Sequence, residues 1–163
     1  MFVKQWSSKA SALLVVGLLA GFMSETANAS IDDFKLKRRQ ANAVTISGDS
    51  GGQIVSYAMR VASYKRSRTL VKFNGRCDSA CTLFMGLPSH QTCISSGAYF
   101  RFHSPSAQSQ RSARIAQIYM MRKYPGWVRN WISRNNGLSR QLITMKYEYA
   151  NKFIKSCSTV ASR

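Results

Sequence analysis

The chain has 163 residues, 24 lysines and arginines against 6 aspartates and glutamates, a net charge of +18 and a hydrophobic fraction of 45%. That length and apolar content suit one domain with one core. The charge favours anionic partners such as nucleic acid, lipopolysaccharide, anionic lipid or acidic polysaccharide, but the bases are spread along the chain, and no zinc finger, RNA-binding signature or basic recognition helix is present, so a dedicated nucleic-acid module is not expected.

The first 29 residues read as a targeting segment. Lys4 and Lys9 precede an apolar run over residues 12–23, which is short for a bilayer span. Ala27-Asn28-Ala29 is a small-x-small cleavage signal, so residues 1–29 are expected to be a signal peptide cut before Ser30. Export to the periplasm or medium follows. The mature chain then keeps 22 bases and five acids. Residues 30–42 form a polar, basic lead-in, and residues 43–163 the folded domain.

Residues 43–47 (AVTIS) read as a buried strand, and Gly48 to Gln53 as a glycine-rich turn in which Asp49 can cap the following helix. Ile54, Val55, Ala58, Val61 and Ala62 make a helical stripe over residues 54–64. Residues 68–73 (RTLVKF) are the next strand. Asn74 to Thr82 (NGRCDSACT) then leads into an apolar run, Leu83-Phe84-Met85, read as the start of a buried helix. Residues 91–94 and 98–103 look like two strands around a Ser95-Ser96-Gly97 turn. Beyond Pro105 the pattern is helical, with Ile115, Ile118, Tyr119 and Arg122 on one side. Pro125 breaks it. Trp127, Val128, Trp131 and Ile132 form a further stripe, Gly137 is a stop, and Ser139 is placed to cap a last helix over residues 140–147. Strands alternating with helices predict an α/β domain, and no repeat or low-complexity linker interrupts it.

Three features carry chemistry. Ser79 sits at a strand-to-helix junction, where free N–H groups and the positive end of a helix face any oxygen beside it. His103 ends a strand downstream. Gly51-Gly52 lies upstream in a turn. A glycine loop, a serine and a histidine are the parts needed for acyl transfer. Each also has a plain structural role, Ser79 as a helix cap and His103 as a hydrogen-bonded strand end.

The four cysteines, Cys77, Cys81, Cys93 and Cys157, predict two disulfides in an exported protein, in any of three pairings. Cys77 and Cys81 flank Ser79 two residues on either side; as a structural pair they staple its turn. The spacing with His90 and Cys93 fits no common zinc pattern. No metal and no cofactor is expected. His90 reads as an exposed loop residue, and Trp127 and Trp131 as core.

In this order the motifs resemble the proteolytic subunit of the Clp protease and the wider ClpP/crotonase fold: Gly51-Gly52, Gly75-x-x-x-Ser79-Ala80, then His103-x-Pro105. Short exported ClpP-like bacterial proteins are the nearer likeness, through Cys77 to Thr82, Cys93, His103, Tyr124-Pro125, Trp131-Ile132-Ser133 and Cys157. The resemblance covers residues 43–157. It implies a truncated, single-domain spiral of β-β-α units and a serine hydrolase or peptidase acting on a peptide or ester. It implies Ser79 as nucleophile, His103 as base, and the N–H groups of Ala80 and of Gly51 or Gly52 as oxyanion hole. The third member should come from the C-terminal region, where Glu148 is the acidic residue and Asn151 the nearest amide. Asp78 adjoins Ser79, so its side chain should point away from it. The opening strand of the full fold is missing or supplied by residues 31–36, and the long handle that builds large rings has no counterpart, so a ring is not expected. The alternative is a non-catalytic basic module that binds anionic envelope components or nucleic acid.

Overall fold

The computed structural model describes residues 42–160; the expected signal peptide and nearly all of the basic lead-in lie outside them. The elements are β1 (Ala43–Asp49), α1 (Ile54–Ser67), β2 (Leu70–Asp78), a 3-10 helix (Ser79–Gly86), a 3-10 turn (Ser89–Gln91), β3 (Thr92–Ile94), β4 (Tyr99–Phe102), α2 (Gln110–Lys123), α3 (Gly126–Arg134), β5 (Ile143–Lys146), α4 (Tyr147–Ala150) and α5 (Cys157–Val160). This is a small mixed α/β domain.

Its five-stranded sheet runs β1-β2-β4-β5, with β3 also on β2. β2 pairs in parallel with β1 on one side. On the other side it meets β3 through Val71 to Phe73, then β4 through Arg76 to Asp78. β4 and β5 are antiparallel. A parallel β1–β2 pair needs a crossover, and α1 is that crossover. Val71, Phe73, Phe84, Phe100, Phe102, Val128 and Met145 lie in one core, where the Phe73 and Phe100 rings meet edge-on with centroids 4.9 Å apart.

β2 is longer than its apolar run indicated, because Asn74 to Asp78 stay in the ladder. Between Ile46 and Gly48 the β1–β2 register shifts. Gly75 sits at that shift, pressed against β1: a Cβ there would stand 2.1 Å from the Ser47 carbonyl oxygen. Only a residue without a side chain permits this approach.

Three local expectations are corrected. The segment after Ser79 is helical but of the tighter 3-10 type over eight residues. Residues 140–147 do not form a helix: Ser139 instead accepts the Gln141 N–H on its hydroxyl at 3.1 Å, and Ile143–Lys146 forms β5. Pairing of Met145 with Phe100, and the complete burial of Met145, outweigh the local cap signal. Part of the apolar stripes on α1 and α2 also faces outward. Tyr57 of α1 and Met120 of α2 are the buried residues, whereas Val55, Ile115 and Ile118 are exposed.

Cys77–Cys81 and Cys93–Cys157 are the disulfides, and no cysteine is free. Two disulfides are what an oxidising, non-cytoplasmic environment sustains. Among the described residues no helix is long and apolar enough to cross a membrane. Trp127 and Trp131 pack against the core, Trp127 stacking on Phe153 with centroids 4.6 Å apart. His90 is exposed.

Candidate functional site

β1, β2 and β4 run parallel and end on the same edge of the sheet. Asp49 pairs with Cys77, and Asp78 with Arg101. Gly51 and Gly52 follow the end of β1, Ser79 and Ala80 the end of β2, and His103 the end of β4. Neighbouring strands are about 5 Å apart, so the topology gathers the glycine turn, the serine and the histidine at adjacent strand ends. The carboxyl edge of parallel strands is where open α/β sheets hold their ligands.

Gly51 touches Ser79. A Cβ on Gly51 would lie 2.5 Å from the Asp78 carbonyl oxygen, 2.8 Å from Ser79 Cβ and 3.0 Å from the Ala80 nitrogen, and its φ is +80°. Close approach and left-handed backbone both require glycine here. The Gly51 N–H donates to Asp49 Oδ1 at 2.8 Å, so Gly51 is engaged and the N–H of Gly52 is the glycine donor left without a hydrogen bond among the described residues. Asp49 therefore serves the turn and not the helix, whose first turn has no side-chain cap. The Tyr57 hydroxyl donates to the same Asp49 oxygen at 2.5 Å. Burial first, and this hydrogen bond second, push the Tyr57 phenol up to about 12, so it remains a donor at any physiological pH.

Ser79 has φ +52°, in the left-handed region. For a residue with a side chain that backbone costs roughly 1–2 kcal/mol, and sharp strand-to-helix turns of this kind expose a serine hydroxyl. Two structures enforce it. The Cys77–Cys81 disulfide spans the turn, with both cysteines fully buried. Beneath it, the Thr82 hydroxyl donates to the Ser79 carbonyl at 2.5 Å. That uses its one hydrogen, so the Tyr124 hydroxyl, 2.6 Å away, is the donor to Thr82 Oγ1. Burial raises the Tyr124 phenol well above its usual range, keeping that donor protonated. Ser79→Gly is expected to unfold at higher urea than Ser79→Ala, by about 1 kcal/mol. Both lack the hydroxyl, so the difference reads the backbone cost alone; equal midpoints would show that the turn is unstrained.

The residue before the serine is electrostatically occupied. Asp78 is buried and accepts two hydrogen bonds from Arg101, from Nε at 2.8 Å and from Nη2. Arg76 Nε stands 3.6 Å from the same carboxylate. The hydrogen bond to Asp78 raises the Arg101 pKa further. As expected from adjacency, Asp78 is directed to these guanidiniums and makes no hydrogen bond with Ser79. Two cations against one carboxylate leave the foot of the turn positive.

His103 Nδ1 lies 2.7 Å from the Ser104 carbonyl oxygen. A carbonyl only accepts, so Nδ1 carries the proton and Nε2 is the basic nitrogen. Ser104 is itself tied down, its N–H donating to the Ser139 carbonyl at 2.6 Å. Among the described residues, neither Ser79 Oγ nor His103 Nε2 makes a hydrogen bond. His103 opens on a cavity of about 910 Å³, bordered by Ser106, Gln110, Arg114, Gln117 and Arg140 among others, with no carboxylate on its wall. Ser79 is not part of that wall.

Glu148 lies elsewhere. It is exposed in α4, two residues past Lys146, which pairs with Tyr99 at the start of β4. His103 follows the other end of β4. Antiparallel pairing thus sends Glu148 to the far edge of the sheet, and Asn151 follows it. The imidazole is oriented by the Ser104 carbonyl instead. The residues missed in the sequence are the supporting ones: Tyr57, Thr82, Arg101, Ser104 and Tyr124. Thr82 alone had a local signal, a hydroxyl three residues after the serine; Tyr124 is 42 residues from its partner.

No protein-family model matches the chain, and no curated protein matches it.

Proposed function

We propose that the chain is an exported serine hydrolase of the ClpP/crotonase type, acting by acyl transfer on a peptide or ester. The observation that carries this reading is the contact of Gly51 with Ser79 and Ala80 at the edge where His103 also emerges. The order of glycine turn, serine and histidine on successive parallel strand ends supports the kinship, as does the passage of β2 from β3 to β4 along its length. Export is supported by the two disulfides.

In this mechanism Ser79 Oγ attacks the substrate carbonyl and His103 Nε2 takes its proton. The N–H groups of Ala80 and Gly52 receive the negative oxygen, a donor worth about 3 kcal/mol each in such sites. The C–N or C–O bond breaks as Nε2–H protonates the leaving group. Water then repeats the sequence on the acyl-serine and regenerates the hydroxyl. The Ser104 carbonyl holds the tautomer that this role needs, a task carboxylates perform in triads. No hydrogen bond joins Ser79 Oγ and His103 Nε2 among the described residues; this reading requires it to form in the substrate complex, where catalytic hydrogen bonds commonly tighten.

A fluorophosphonate probe is expected to label the folded, disulfide-bonded protein at Ser79 and to leave Ser79→Ala unlabelled. His103→Ala should slow labelling by about 10²–10⁴-fold. A folded wild type that resists the probe would overturn the hydrolase reading and leave the basic binding module.

A further inference from the structure

The outward part of the α1 and α2 stripes forms a continuous surface. Between the helices runs a groove of about 610 Å³, lined by Ile54, Val55, Ala58, Met59, Ile115 and Tyr119 among others. Val55 is 70% exposed, Met59 68%, Ile115 59% and Ile118 50%. Clustered exposed apolar side chains rimmed by polar ones are a feature of interaction surfaces.

Its surroundings are all of one sign. Val55, Met59, Ala62 and Arg66 follow one row of α1, and Arg111, Arg114, Ile115, Ile118 and Arg122 one face of α2, by helical spacing. Lys65, Arg66, Arg111, Arg114, Arg122 and Lys123 are exposed, and Lys123 Nζ lies 5.4 Å from the Tyr119 ring at the groove. Neither helix contains an aspartate or glutamate. The acids of the described domain are Asp49, Asp78 and Glu148; the first two are engaged at the strand ends and the third sits in α4.

We propose that this α1–α2 face docks on an anionic phospholipid surface. A bilayer offers phosphates and, a few ångströms deeper, hydrocarbon in one plane. Exposed apolar side chains rimmed by lysine and arginine match that layering. A second copy of the chain does not: it would set six cations against six with no carboxylate between them. An acidic protein would satisfy the rim but not four protruding aliphatic side chains unless it presented its own apolar cleft. The inference is independent of the role given to Ser79.

The test is co-sedimentation of the disulfide-bonded chain with vesicles of phosphatidylglycerol and phosphatidylcholine, and with phosphatidylcholine alone. Wild type should bind the former and not the latter. Met59→Ser with Ile115→Ser keeps the charge and alters only exposed positions, so the fold should survive; its affinity should fall about tenfold or more. Arg111→Gln with Arg122→Gln should also weaken binding to the anionic vesicles, and undiminished binding by that variant would overturn the role of the basic rim. Undiminished binding by the Met59→Ser/Ile115→Ser variant would reduce the effect to charge adhesion and overturn the proposal. So would no binding to the anionic vesicles, or a wild-type dimer in sedimentation equilibrium that the same two substitutions dissociate.

Discussion

Gly51→Ala is expected to be strongly destabilising and to disrupt the serine turn together with the fold. The new Cβ would lie 2.5 Å from the Asp78 carbonyl oxygen and 2.8 Å from Ser79 Cβ. Neither is the free end of a flexible side chain, so the backbone itself must move. The position also has φ +80°, which alanine adopts at a cost of about 1–2 kcal/mol. Overpacking adds about 1–3 kcal/mol. The sum should lower the melting temperature by about 10 °C or more for a domain of this size. Any relaxation displaces the glycine turn from the serine, so labelling by the fluorophosphonate should be lost even below the melting temperature. Gly48→Ala is the control. It is three residues earlier, near the end of β1, with nothing within 4 Å of a Cβ, and should change stability by no more than about 0.5 kcal/mol. Thermal melts of the two variants side by side decide the matter; comparable stability would mean that Gly51 does not lie against Ser79.

Replacing Cys93 and Cys157 together by serine should cost about 4 kcal/mol in urea unfolding. The bond closes a separation of 64 residues, and the chain-entropy relation gives that magnitude for such a loop. The contact it secures is otherwise slight: the segment just before α5 reaches β3 through the Ile94–Ser156 bridge and the Ile94 N–H to the Lys155 carbonyl at 2.9 Å. Cys93 is fully buried, so serine also leaves a hydroxyl in the core. Cys77→Ser with Cys81→Ser closes only four residues and should cost about 2 kcal/mol by the same relation. Its larger consequence is local, since the staple spans the strained Ser79 turn. Midpoints in reverse order would mean that the long loop is already held together without its bond.

The position of each candidate residue at a turn could be read before any coordinates because it depends on short-range chemistry. A glycine pair, a serine at a strand-to-helix junction and a histidine before Ser-Pro each mark a chain turn by local sterics, and the turns lie where they were expected. Trp127 and Trp131 were legible as core from i, i+4 spacing, and four cysteines announced two disulfides. The pairing was not legible: spacing leaves three arrangements, and only the folded positions of β3 and α5 select Cys93 with Cys157. The direction of an amphipathic stripe was not legible either. Ile115 and Ile118 obey helical periodicity as well as any core residue, yet periodicity carries no sign, and the packing of Met120 and Tyr124 turns the other face inward.

The chain by itself determined where it turns, which reactive side chains stand at those turns and how strongly the surface is charged, because glycine, serine, histidine and lysine express those properties wherever they stand. Tertiary structure decided which partners they meet. It made residues 143–146 a strand through pairing with β4, gave His103 a backbone carbonyl in place of a carboxylate, carried Glu148 to the opposite edge and bound Tyr124 to Thr82 beneath the serine. Those outcomes rest on contacts between segments distant in sequence, whose free energy is set by burial and register and leaves no mark on local pattern.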